Sequence, residues 1–102
     1  MGDAKEGLQR NVSNAFDATM RRLAVVYRSH MDVAPADFEG RINYWCAQCG
    51  MPRGLRDELH QLRIWRNASD HHDEERWQRL GPSSEAEAST LLSHIAVALA
   101  AL

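Results

Sequence analysis

The chain is poor in the residues that would mark a special class. It has two cysteines among 102 residues, too few for the disulfide framework of a small secreted domain. Its three prolines fall at 35, 52 and 82, at breaks between apolar-periodic stretches rather than inside them. No apolar run approaches the roughly 18 residues that a membrane span needs. Charge of one sign is also lacking: the formal net charge is −2. No global basic field recruits RNA or DNA, so a nucleic-acid contact would have to come from a local patch. The opening stretch MGDAKEGLQR lacks the apolar core of a secretory signal. With so few cysteines, this predicts a reducing, intracellular and cytoplasmic setting without a membrane. Internal repeats, low-complexity linkers and strand-like alternation are missing as well.

What is present is helical periodicity. A chain of this length fits one domain with a modest core. Leu8, Val12, Ala15, Phe16, Thr19, Leu23, Val26, Tyr27 and His30 recur every three or four residues and predict a helix over about 4–31. Asp32 to Ala34 break it, and Pro35 suits the first turn of a second helix over about 35–49. That helix carries Phe38, Ile42, Trp45 and Cys49 on one face, with Gly50 placed to end it. A third helix begins near Pro52 or Arg53, with Leu55, Leu59 and Leu62 on one stripe and Trp65 beside it. Residues 71–82 read as a loop or short helical turn closing at Gly81-Pro82. Ser83 or Ser84 then caps a last helix with Ala88, Leu91, Leu92, Ile95, Leu99 and Leu102 on its apolar face. The prediction is an all-α, four-helix up-and-down bundle of antiparallel neighbours.

One residue breaks the third helix's pattern. The leucine stripe, extended by four, lands on Arg66. A guanidinium stays ionised and is costly to bury alone. It has to pair with a carboxylate, cap carbonyls, sit at a seam between chains, or meet an anionic ligand. Asn67 and His71 are four apart and share a face if the helix continues. Arg66 and His71 do not share one on an ideal helix, so joining them at one ligand takes a distortion or a second copy of the chain. Histidine moves protons near neutral pH. Arginine holds phosphate by paired hydrogen bonds and stabilises charge developing on it. Such a set suits metal-independent RNA cleavage, in which the neighbouring 2′-hydroxyl attacks the phosphate.

The run Arg66-Asn67-Ala68-Ser69-Asp70-His71 resembles the R-x4-6-H motif of HEPN domains, and His72 fits it with one more intervening residue. The resemblance implies a compact bundle of four or five helices with the motif near the end of a late helix. It implies a homodimer in which two motifs face each other, as in endoribonucleases of toxin–antitoxin, defence and RNA-processing systems. Arg66 would then hold phosphate, His71 or His72 would act as general acid or base, and Asn67 would orient. Other HEPN domains are inactive dimerisation or protein-binding modules, which is the alternative reading. On the same helix, Arg53, Arg56, His60 and Arg63 lie off the leucine stripe. Arg56 and Arg63 are the candidate RNA-binding residues on that track, which Asp57 and Glu58 interrupt.

Cys46-Ala47-Gln48-Cys49-Gly50 has the shape of a zinc knuckle that His71 and His72 could complete. Cys49 also continues the apolar face of Phe38, Ile42 and Trp45, so the favoured reading is packing cysteines, with no metal and no cofactor. His30 and His60 read as surface or interfacial. Trp65 and Trp77 bracket the polar stretch between them and are expected to pin it to the bundle. The acidic run after His72 reads as solvated, or as a contact for a second subunit's basic helix. The closing AVALAAL is apolar on more than one side. This predicts a protein partner or homodimer seam on the last helix, or a further domain of a longer protein covering it.

Overall fold

Side-chain caps and one left-handed glycine set where the helices start and stop. The computed structural model describes residues 3–70 and 73–102. They form α1 (Asp3–Val26), α2 (Phe38–Cys49), α3 (Arg53–Asp70), α4 (Glu74–Leu80) and α5 (Glu85–Ala100), with a 3-10 turn at Arg28–His30. None of the described residues lies in a strand. The all-α expectation holds, and the helix count rises from four to five.

The extra helix comes from the acidic run. Asp73 accepts a hydrogen bond from the Arg76 N–H at 3.2 Å, and Glu74 and Glu75 occupy the first turn. Carboxylates there satisfy free N–H groups and complement the helix dipole. The charges thus start a helix, and Trp77 anchors it from its buried face. α2 starts later than expected, at Phe38, because Asp37 is the cap: its carboxylate accepts from the Gly40 N–H at 2.8 Å. Pro35 stays outside the helix, and its carbonyl accepts from Arg41 Nε at 3.1 Å. α1 likewise stops at Val26 and tightens into the 3-10 turn instead of running on to residue 31.

Two glycines work by geometry. Gly50 closes α2 at φ 76°, ψ 20°, and its N–H returns to the Trp45 carbonyl. That backbone region strains residues with a side chain. Gly81 closes α4 against Trp77, where a Cβ would lie 2.6 Å from the Trp77 carbonyl oxygen. Ser84 then caps α5, accepting from the Glu87 N–H at 3.0 Å, while Glu87 accepts from the Ser83 N–H and hydroxyl. This reciprocal pairing is a capping box shared over two serines.

The helices gather round α3, which packs against each of the other four; α1 also touches α5. The centre of α3 supplies Leu55, Leu59, Leu62 and Trp65 to a core completed by Val12, Phe16 and Leu23 of α1, Ile42 and Trp45 of α2, and Ile95 of α5. α1 and α2 meet through large rings. Phe16 and Phe38 lie edge to face with centroids 5.1 Å apart, and just past the end of α1 the ring centre of Tyr27 lies 5.7 Å from that of Trp45. Such ring pairs contribute beyond their buried area, by about 0.5–1.5 kcal/mol. The molecule measures 45 × 25 × 18 Å, and α1 alone, at 24 residues, is about 36 Å long. No described helix is long and apolar enough to cross a membrane.

Leu59 is fully buried at the middle of the hub helix. Leu59→Ala should lower unfolding free energy by about 2–5 kcal/mol, because it removes buried methyl groups and leaves a cavity. Urea denaturation of the variant and the parent chain measures this.

Candidate functional site around Arg66

The site sits where the leucine stripe of α3 ends. Trp65, Ala68 and Ser69 carry the core side of the last turns. Arg66 reaches the rim, keeping 25% of its side-chain surface. Its guanidinium carbon lies 5.7 Å from the centre of the Phe16 ring and 5.5 Å from that of Phe38. Both distances allow a cation–π contact. Nη1 meets Asp70 Oδ2 at 3.0 Å, one turn on along α3, and Nη2 meets Asp17 Oδ1 of α1 at 3.6 Å. The inner nitrogen Nε is buried without a hydrogen-bond partner. One side chain therefore ties α1, α2 and α3 together. The nearby Ser13 and Ser69 hydroxyls add a 2.8 Å bond between α1 and α3, and Ser69 also donates to the Arg66 carbonyl at 2.8 Å.

Of the residues predicted to form the site, Arg66 and Asn67 lie in one turn of α3, with Asn67 half-buried. His71 and His72 lie outside the described residues. Two carboxylates against one guanidinium leave the local charge at −1. A phosphate approaching Arg66 would first have to displace or outcompete them. Both acids escaped the sequence reading, although Asp70 carries a readable signal at i+4 from Arg66. Asp17 has no such signal, because its partner is 49 residues away and only the packing of α1 on α3 brings them together.

The proposed basic track is bound up locally. Arg56 meets Asp57 through both Nε and Nη2 at 3.0 Å. Arg63 Nε donates to His60 Nδ1 at 3.3 Å. That leaves Nε2 of the neutral ring to donate to Asn43 Oδ1 of α2 at 2.7 Å. His60 is thus the centre of a chain of polar contacts between α3 and α2, a role invisible in the sequence. His30 also has a partner, the Tyr44 hydroxyl at 3.5 Å.

Cys46 and Cys49 are free thiols, half-buried and packed against the core. Burial pushes the Cys49 thiol above its usual range, and burial followed by the nearby cysteines does the same to Tyr27. Among the described residues no group of three His, Cys, Asp or Glu side chains stands ready to hold a metal ion. Trp65 and Trp77 are both buried, as pins should be.

Among the described residues, clefts open on two sides of the bundle. One, of about 360 Å³, lies between α3 and α5 and is lined by Gln61, Trp65, Glu87, Thr90, Leu91 and His94. His94 there meets Glu58 at 3.3 Å. The other, of about 270 Å³, adjoins the Arg66 clamp and shares Asp17 and Phe38 with it.

Two measurements follow. Arg66→Ala removes the ring contacts and leaves Asp17 and Asp70 without their cation, so it should cost about 1–3 kcal/mol of stability; Arg66→Met, which keeps the stem between the rings, should cost less. For His60, burial and then the charge of Arg63 hold the imidazole below its ordinary value. The unfolded chain therefore takes up the proton first. Stability is full above the unfolded pKa of about 6.5 and is lost as pH falls through the folded one. Thermal melts from about pH 7.5 to 5.5 should show this loss, and His60→Gln should flatten the slope.

Compared with protein-family models, curated proteins and solved structures, the chain matches none.

Proposed function

We propose that the chain is a HEPN-like helical module that works by association, dimerising through α5, and that it does not cut RNA. The observation that carries this reading is the state of α5. Its sequence, EAEASTLLSHIAVALA, is the most apolar of the helices, yet only Ala88 and Ile95 are buried. Val97 is 73% and Leu102 44% exposed, with Ala96, Ala100 and Ala101 open beside them. Small residues next to an exposed valine allow a second helix to approach closely. The association buries apolar surface that the single chain leaves in water. The clamp at Arg66 supports the non-catalytic half of the proposal. Its cation is engaged by two acids and two rings of its own chain, which gives the residue a structural role without a ligand.

A second reading keeps the nuclease. In it Arg66, Asn67 and His71 or His72 form a composite, metal-independent endoribonuclease site across the dimer, with Arg56 and Arg63 guiding RNA. The specific support is that the Arg66 side chain keeps a quarter of its surface exposed.

Sedimentation velocity separates association from its absence. The parent chain should show a concentration-dependent dimer, and Val97→Asp should shift it to monomer. A parent chain that stays monomeric, or a Val97→Asp dimer of unchanged strength, overturns the α5 reading. Incubation with single-stranded RNA in chelator should leave the RNA intact. Cleavage giving 2′,3′-cyclic phosphate ends, abolished by His71→Ala, would instead establish the nuclease.

A further inference from the structure

The chain's two thiols have no part in the function proposed above. Cys46 and Cys49 stand three residues apart in the last turn of α2. Both are free and half-buried, so a small reagent in solvent can reach them. Residues at this spacing share one face of a helix. Both pack against the core from that face, and both raise the Tyr27 hydroxyl after burial has done so, which puts the two sulfurs near one phenol.

Helix geometry brings the pair close to bonding distance. Residues three apart in an α-helix have Cα atoms about 5 Å apart, within the roughly 4.4–6.8 Å that a disulfide spans. Their Cβ atoms stand about 5–6 Å apart, against the roughly 3.5–4.5 Å of a bridge. The turn must tighten by about 1–2 Å for the sulfurs to join. A helix end resists such a change least, because its last carbonyls have no partner within the helix. Cys49 is the final residue of α2, and Gly50 follows it in the left-handed region. The Trp45 carbonyl closes this end by accepting from the N–H groups of Gly50 and Met51.

The two sulfurs differ in their surroundings. Hydrogen bonding to Asp57 raises the Arg56 guanidinium above its ordinary range, and Cys46 adds to the rise, so the cation lies close to the Cys46 sulfur. A neighbouring cation stabilises the charge that a sulfur carries into an attack. For Cys49 the cause of the shift is burial, which raises the thiol.

We propose that Cys46 and Cys49 are a reversible oxidation site, which a peroxide joins into a disulfide within α2, Cys46 attacking and Cys49 resolving. The Cys46 thiolate attacks one peroxide oxygen. The S–O bond forms as the O–O bond breaks, and the departing hydroxide takes up the proton that Cys46 gave to solvent. The Cys49 sulfur then attacks the sulfenic acid sulfur of Cys46. The S–S bond forms as the S–O bond breaks, and the departing hydroxide leaves as water with the Cys49 proton. Two thiols lose two electrons, and one peroxide becomes two waters. A dithiol reductant reverses the bridge by exchange. The tightened turn leads directly into Met51, which is buried, so oxidation is felt at the junction of α2 and α3. Among the described residues α2 does not pack against α5, so the site stands independently of association through that helix.

The experiment treats the whole chain, in chelator, with equimolar hydrogen peroxide and follows it by intact mass, thiol alkylation and non-reducing electrophoresis. The parent should lose two hydrogen atoms, remain a single chain, lose both alkylatable thiols and regain them in dithiothreitol. Amide NMR shifts on oxidation should concentrate from Trp45 to Leu55. In Cys49→Ser, peroxide should leave a sulfenic acid on Cys46 that dimedone traps. In Cys46→Ser, Cys49 should react about tenfold more slowly. Arg56→Gln should slow the Cys46 reaction by about twofold or more, while Arg79→Gln on α4 should leave it unchanged. Melting curves of the variants check that each is folded, and the parent measurement needs no substitution. Thiols that stay alkylatable after peroxide overturn the proposal. So does oxidation to sulfinic acid without a bridge, a disulfide between two chains, or equal rates in Cys46→Ser and Cys49→Ser.

Discussion

A guanidinium at the end of a leucine stripe is the constraint around which three helices are arranged. Arg66 cannot enter the core and cannot leave it, because its stem follows the same face as Leu55, Leu59 and Leu62. The fold resolves this by placing an aromatic ring from α1 and another from α2 beside the cation, and an acid from α1 and another from α3 at its tips. Each contact is modest: an exposed ion pair contributes about 0–1 kcal/mol and a cation–π contact about 0.5–2. Their common partner makes them matter together, since the separation of any one helix disturbs all of them. The Phe16–Phe38 pair has the same function on the apolar side, joining two helices that otherwise meet chiefly through α3.

The crowding of titratable residues between Trp65 and Trp77 has a plain cause in this arrangement. Two helix ends meet there. Asp70 closes the last turn of α3 on Arg66, and Asp73 with Glu74 and Glu75 opens α4. The acidic residues of that stretch, expected to be solvated or to meet a second subunit, include the groups that a helix terminus needs. The motif's resemblance to a nuclease and the structural use of its arginine are therefore compatible.

Much of the fold was legible because it depends on local rules. The apolar stripes, the Gly50 stop, the start of α3 and the Ser84 cap all follow from residues within one or two turns of each other. The starts that were misplaced also depended on local caps, but on ones that compete. Asp37 outweighed Pro35 as the beginning of α2, and Asp73 turned an apparent loop into α4. The site was less legible, because its decisive partners are remote in sequence. Asp17 and Phe38 reach Arg66 only after α1 and α2 dock on α3, and Asn43 reaches His60 in the same way. Periodicity assigns a residue to a face, whereas its neighbour on the next helix is a tertiary fact.

The central position of α3 has a consequence for how the chain can be divided. Residues before it and residues after it share almost no contact except through it, apart from the touch between α1 and α5. Neither flank encloses an apolar interior of its own. A peptide-bond cut within α3 would therefore separate the described helices from the one element that all of them pack against.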